Sequence, residues 1–188
     1  MLKRQLGQPN DLPKVLESKL RNGKKGNLQT IEIMKAVARG RSGHPAIRKL
    51  AVDILDQYQV ASQDHFTESI AIGNWVKDNI TYVKDPDAIE YLQDPLTIIE
   101  NINTRGNGRG DCDDMSCFCA ALLLSIGHQP YFKAVRYDKK WGNYNHIYVV
   151  DYAGDWGKPK QWLVLDCILK RHPIGTEVPH KNGDLFAV

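Results

Sequence analysis

The sequence predicts an α+β protein on three observations. Helical periodicity runs through its first part, three extended segments fill its last third, and a strongly apolar helix stands between them. At 188 residues the chain fits one domain with a helical extension. Its 42% hydrophobic and 25% charged residues are those of a globular protein with a core. The formal net charge of +3 is too small to point to a nucleic-acid partner. No apolar run approaches the roughly 20 residues that span a bilayer, and the start lacks an apolar signal-peptide core. The expected location is therefore cytoplasmic, with no membrane partner.

Residues 1–27 are rich in Lys, Arg, Gly, Asn and Pro and offer nothing to bury, so they read as a flexible basic arm. From Thr30, Ile31, Met34 and Val37 recur at helical spacing until RGRSGHP breaks the run. A second helix carries Ile47, Leu50, Ile54 and Tyr58 on one stripe, with Pro45 suited to its first turn. These two make a helical extension over residues 28–64, ahead of a catalytic domain over 65–188. Asp64 is a natural cap for a third helix bearing Ile70, Trp75 and Ile80. Residues 81–110, with two Asp-Pro pairs and three closely spaced glycines, read as a long surface connection. No Gly-Lys-Ser/Thr follows those glycines, which argues against a phosphate loop.

The stretch MSCFCAALLLSIGHQP reads as a buried helix that stops at Gly127 and starts near Cys112. The segments YFKAVRY, NHIYVVDY and QWLVLDCIL then read as strands of an antiparallel sheet, separated by turn-rich stretches. Cys117 and Cys119 share the apolar helix, where neighbouring cysteines rarely meet disulfide geometry. With Cys167 they read as small buried thiols. Structural zinc has no C-x-x-C pair to draw on.

A thiol is a useful nucleophile only when ionised, and a helix N-terminus favours the anion. Cys112 is the one cysteine so placed. Thiolate formation needs a base that later returns a proton to the leaving group, and His146, opening a strand with one side chain exposed, is the best of six histidines. A third group should orient the imidazole. Asp166 ends the apolar run WLVL, where an unpartnered carboxylate would be costly to bury. Its rival Asp151 lies an odd number of residues from His146, on the opposite face of a regular strand, and Asp155 falls in a turn.

The run GRGDCDD before an apolar helix, followed by NHIYVV and WLVLD, resembles the transglutaminase-like superfamily, whose members share a papain-like thiol fold. The segment WVKDNITYVKD is similar to the helix and strand that precede the nucleophile loop there, and TIEIMKAVARG, IRKLAVDIL and IEYLQDP resemble bacteriophage and prophage versions. The resemblance covers about Ile70 to Asp166. It implies a papain-like core, with Cys112 as nucleophile, His146 as general base and acid, and Asp166 as its orienting partner. It further implies an oxyanion hole with the Cys112 backbone N–H as one donor; Gln93 is the named candidate for the second. Tyr148 stands where the family often has tryptophan. The resemblance implies a cysteine protease or amidase acting on a peptide or protein, or a protein-glutamine transamidase, or a non-catalytic phage module with a virion or host protein partner. No cofactor is required. Asp111, Asp113 and Asp114 suit a helix start, while calcium-dependent bacterial relatives carry acids at the positions of Asp111 and Asp113.

Overall fold

The computed structural model describes residues 15–17, 23–86, 91–137, 144–154 and 160–188. Most of the segment read as a basic arm, the stretches 138–143 and 155–159 read as turn-rich, and Asp155 lie outside them. The elements, in chain order, are β1 (Val15–Glu17), α1 (Lys24–Ser42), α2 (Pro45–Gln57), α3 (His65–Asn79), β2 (Ile80–Tyr82), β3 (Tyr91–Gln93), α4 (Pro95–Arg105), β4 (Gly108–Gly110), α5 (Cys112–Ser125), β5 (Tyr131–Arg136), β6 (His146–Ala153), β7 (Gln161–Leu165) and β8 (Asn182–Ala187). The architecture is α+β, with helices gathered against one face of an antiparallel sheet ordered β7-β6-β5-β8.

Helix α5 is the centre of that packing. Met115 through Leu123 are buried on every side of it, as a helix without a polar stripe requires. It contacts α1, α2, α3 and β6. Ile31 and Met34 of α1 and Ile47 and Ile54 of α2 join the same hydrophobic cluster as Phe118, Phe132 and Leu165. Residues 28–64 and 65–188 thus share one core. Helix starts follow the sequence. His44 accepts a hydrogen bond from the Ala46 N–H with Pro45 in the first turn, and the Asp64 carboxylate accepts one from Thr67 N–H.

The structure corrects the reading of residues 81–110 as one long loop. Asp94 caps α4, Pro95 opens it, and Gly106 closes it at φ 75° in the left-handed region. Ile98 is buried in the core, and Ile99 and Ile102 pack against the same cluster. The glycine-rich run is a strand, β4, parallel to β2 in the register Ile80↔Gly108. A Cβ on Gly108 would press to within 3.1–3.3 Å of Ile98, Ile80 and Ile102, so glycine there lets the strand sit against apolar side chains. Two further differences concern the ends of the chain. Val15–Glu17, inside the segment read as an arm, pairs with β3, and α1 begins at Lys24 rather than near Thr30. Strand β8, not anticipated from NGDLFA, forms the outer edge of the sheet against β5.

Arg41 ties α1 to the start of α4. Its Nε lies 2.9 Å from both carboxylate oxygens of Asp94, and both side chains are buried. Removing one partner of such a pair strands a buried charge, at a cost of about 3–5 kcal/mol. Arg41→Met is expected to lower the unfolding free energy by about that amount in urea titration; a loss below about 1 kcal/mol would show the pair to be solvated.

Candidate active site

Cys112 is the first residue of α5, so its sulfur stands where the helix N–H groups are unpaired and the macrodipole is positive. One turn later, Ser116 Oγ lies 2.6 Å from the Cys112 carbonyl and 3.2 Å from the Ile147 carbonyl. That hydroxyl pins the first turn of α5 to the start of β6, next to His146.

His146 opens β6 opposite Val135 of β5, before β7 joins at Val149↔Leu165. The ring is buried, at 6% exposure, rather than solvent-facing as expected for a strand-opening histidine. Burial follows from its neighbours. Tyr137 stacks on it with ring centroids 5.7 Å apart and 24° between planes, and Tyr148 tilts against it at 5.5 Å. Asp166, one residue past β7, reaches the ring: its Oδ2 is 2.7 Å from His146 Nε2, with both side chains buried. A buried carboxylate at Nε2 selects the tautomer or cation protonated there and leaves Nδ1 for another partner. Asp166 Oδ1 lies 3.4 Å from the Ile168 N–H, which helps fix the carboxylate.

Burial, then the charges of Asp166, Glu177 and Cys112, push the Tyr137 hydroxyl up to about 12. Tyr82, on the strand paired with β4, is raised by burial and then by Cys112, Asp111 and Asp113. Neither tyrosine was singled out from the sequence, because only the pairings β5–β6 and β2–β4 bring them here. Ser116 carried a signal, four residues from Cys112 on the same helix face.

The remaining cysteines are buried. Cys117 Sγ is 3.6 Å from the Met34 carbonyl, and burial followed by nearby carboxylates pushes its thiol up. The Cys119 thiol is raised by its contact with Cys167 and then by burial. Asp151 departs from His146 as strand alternation requires. Its Oδ2 accepts a hydrogen bond from Ser69 Oγ of α3 at 2.7 Å and lies 2.6 Å from Nδ1 of His128, which follows α5. Gln93 does lie beside the nucleophile loop, but its amide nitrogen donates to the Arg109 carbonyl at 2.8 Å and to Asp114 Oδ2 at 2.7 Å. Both amide hydrogens are then committed, leaving none for an oxyanion.

Asp111, Cys112 and Asp113 each offer an atom within 4.8 Å of the others, and Asp111 Oδ1 is buried without a hydrogen-bond partner. Two carboxylates and a soft thiol are a thin donor set for calcium, which takes six to eight oxygens. The acids matter more for the charge they bring, since negative charge beside a thiol opposes the thiolate. Asp114 limits that effect. Burial raises its pKa to about 7 against the opposing hydrogen bonds from Gln93, and Asp111 adds to the rise.

A native carboxyl that holds its proton up to about pH 7 binds more protons than the unfolded chain above pH 4, so this group's contribution to stability is present at low pH and lost as pH rises through that window. The melting temperature of the wild type relative to Asp114→Asn is therefore expected to fall between pH 4.5 and 8. A difference constant across that range would contradict the shift.

No family model and no curated protein matches the chain. Among solved structures it is similar to one described as a "Putative Cysteine Protease from Cytophaga hutchinsonii", at 13% identity and a TM-score of 0.45. The match covers 76% of this chain and 51% of that one, so the chain spans about half the length of that protein.

Proposed function

We propose that the chain is a thiol-dependent acyl-transfer enzyme of the papain-like, transglutaminase-type class, acting as a cysteine peptidase or amidase on a peptide or protein. The observation that carries this reading is the buried contact of His146 Nε2 with Asp166, beside a strand start joined by Ser116 to the turn that bears Cys112. A buried imidazole with its far nitrogen held by a carboxylate is the arrangement a thiol nucleophile needs in a base. A chain that only used this fold as a binding module would have no use for that alignment.

In the proposed reaction the Cys112 proton passes to His146, and the thiolate attacks the amide carbonyl. The resulting oxyanion is held by the Cys112 backbone N–H. His146 returns the proton to the leaving amine, so the C–N bond breaks and a thioester remains. Water, losing a proton to the same ring, attacks the thioester and releases the acid and the free thiol. Asp166 stabilises the imidazolium throughout. No step is routed through a metal. An amine in place of water would give transamidation instead.

The test follows free-acid release and primary-amine incorporation with an unstructured protein and a glutamine peptide as substrates. Free-acid release is expected, abolished in Cys112→Ala and reduced about 10²–10⁴-fold in His146→Ala, with Asp166→Asn reduced while still folded. Amine incorporation without acid release would assign a transamidase. Turnover that survives Cys112→Ala would overturn the reading.

A further inference from the structure

The far end of α5 gathers a second set of chemically able groups that the proposed reaction does not use. Helix α5 ends in a pair of backbone bonds, Gly127 N–H to the Leu124 carbonyl at 3.1 Å and His128 N–H to the Leu123 carbonyl at 3.1 Å, with Gly127 at φ 95°. This is the glycine-terminated helix stop, and it fixes the backbone of His128. The His128 ring is buried against the first turn of α3, which supplies His65 and Glu68 three residues apart on one face.

Three ligand atoms converge there. His65 Nδ1 is 3.3 Å from His128 Nε2, Glu68 Oε2 is 3.2 Å from His65 Nδ1, and Glu68 Oε2 is 2.8 Å from His128 Nε2. A tetrahedral ion with bonds of about 2.0–2.1 Å has ligand-to-ligand edges of about 3.3 Å, so two of these edges already match and the third opens by a few tenths of an ångström. The two imidazoles meet edge to face, with 68° between ring planes and centroids 5.0 Å apart, so their nitrogens point at a shared position instead of stacking. Behind His128, Asp151 Oδ2 is 2.6 Å from Nδ1, and Ser69 Oγ lies 2.7 Å from that carboxylate. A carboxylate on the far nitrogen of a ligating histidine fixes the tautomer and strengthens the ligand. The His65 side chain is 43% exposed, which opens one side of the cluster to water as a fourth ligand.

We infer that His65, Glu68 and His128 form a site for one zinc ion, with Asp151 as the supporting carboxylate, at the end of α5 opposite Cys112. Two imidazoles and one carboxylate suit zinc and exclude the all-oxygen preference of calcium and magnesium. Bound there, the ion joins the start of α3 to the exit of α5 over the Asp151 end of β6, about 20 Å along the helix from the nucleophile. The competing arrangement holds the groups together with a proton. Burial opposes a charged His128, but its hydrogen bonds to Asp151 and Glu68 outweigh burial and raise its pKa.

The experiment adds zinc to the metal-free chain in a Cys112→Ser background, which removes the separate cluster of Asp111, Cys112 and Asp113. Calorimetry is expected to give one equivalent of zinc bound, with a melting temperature raised by about 5–10 °C at zinc 100-fold above its dissociation constant. Magnesium is expected to give no shift. His65→Ala, at a partly exposed position, and Glu68→Gln are each expected to weaken zinc binding at least tenfold while the metal-free chain still folds. Absence of zinc binding, or binding that both substitutions leave unchanged, would overturn the inference and leave the protonated cluster in its place.

Discussion

The rest of the structure depends on the burial of one helix. Helix α5 is apolar all round, so it has to be enclosed, and α1, α2, α3 and the sheet each contribute a wall. Enclosure leaves only its two ends for polar chemistry. At one end the unpaired N–H groups meet Cys112; at the other the glycine stop delivers His128 to a carboxylate. Strand β6 packs against this helix and carries His146 at its first position and Asp151 five residues on. Side-chain alternation then sends the two to opposite faces.

The nucleophile end balances opposed charges. The helix start around Cys112 is electropositive, while Asp111 and Asp113 bring acidic groups beside it. Asp114, neutral below about pH 7 and held by Gln93, removes one negative charge from that turn. Close packing enforces the arrangement: a Cβ on Gly110 would come within 2.6 Å of Asp114 Cβ, so the end of β4 before Cys112 tolerates no side chain there without a shift. The acids lie beside the sulfur because the chain must turn tightly into the helix, and carboxylates stabilise that start.

Much of this was legible in the sequence. The stripe Ile47, Leu50, Ile54 and the caps Asp64 and Pro45 sit where helical periodicity and capping chemistry place them, because those signals are local. The place of Cys112 at a helix start was legible for the same reason. What escaped was either masked by a stronger signal or set by distant pairing. In residues 94–110, Asp-Pro and three glycines spoke for a loop, yet Asp94, Pro95, Ile98, Ile102 and Gly106 together form a complete capped helix. Strand β8 depends on an edge offered by β5, which no local pattern in NGDLFA reveals. The contact of Tyr137 with His146, the bond of Gln93 to Asp114 and the cluster at His128 are all tertiary, joining residues from different elements.

The central claim is that His146 keeps the Cys112 sulfur anionic. The direct measurement is the pH dependence of Cys112 alkylation by iodoacetamide, located by mass spectrometry, in the wild type and in His146→Ala. The account predicts that wild-type Cys112 reacts well below the ordinary thiol pKa of about 8.5, while Cys117, Cys119 and Cys167 stay protected, and that the midpoint rises toward that value in the variant. A midpoint near or above 8.5 in both proteins would contradict it.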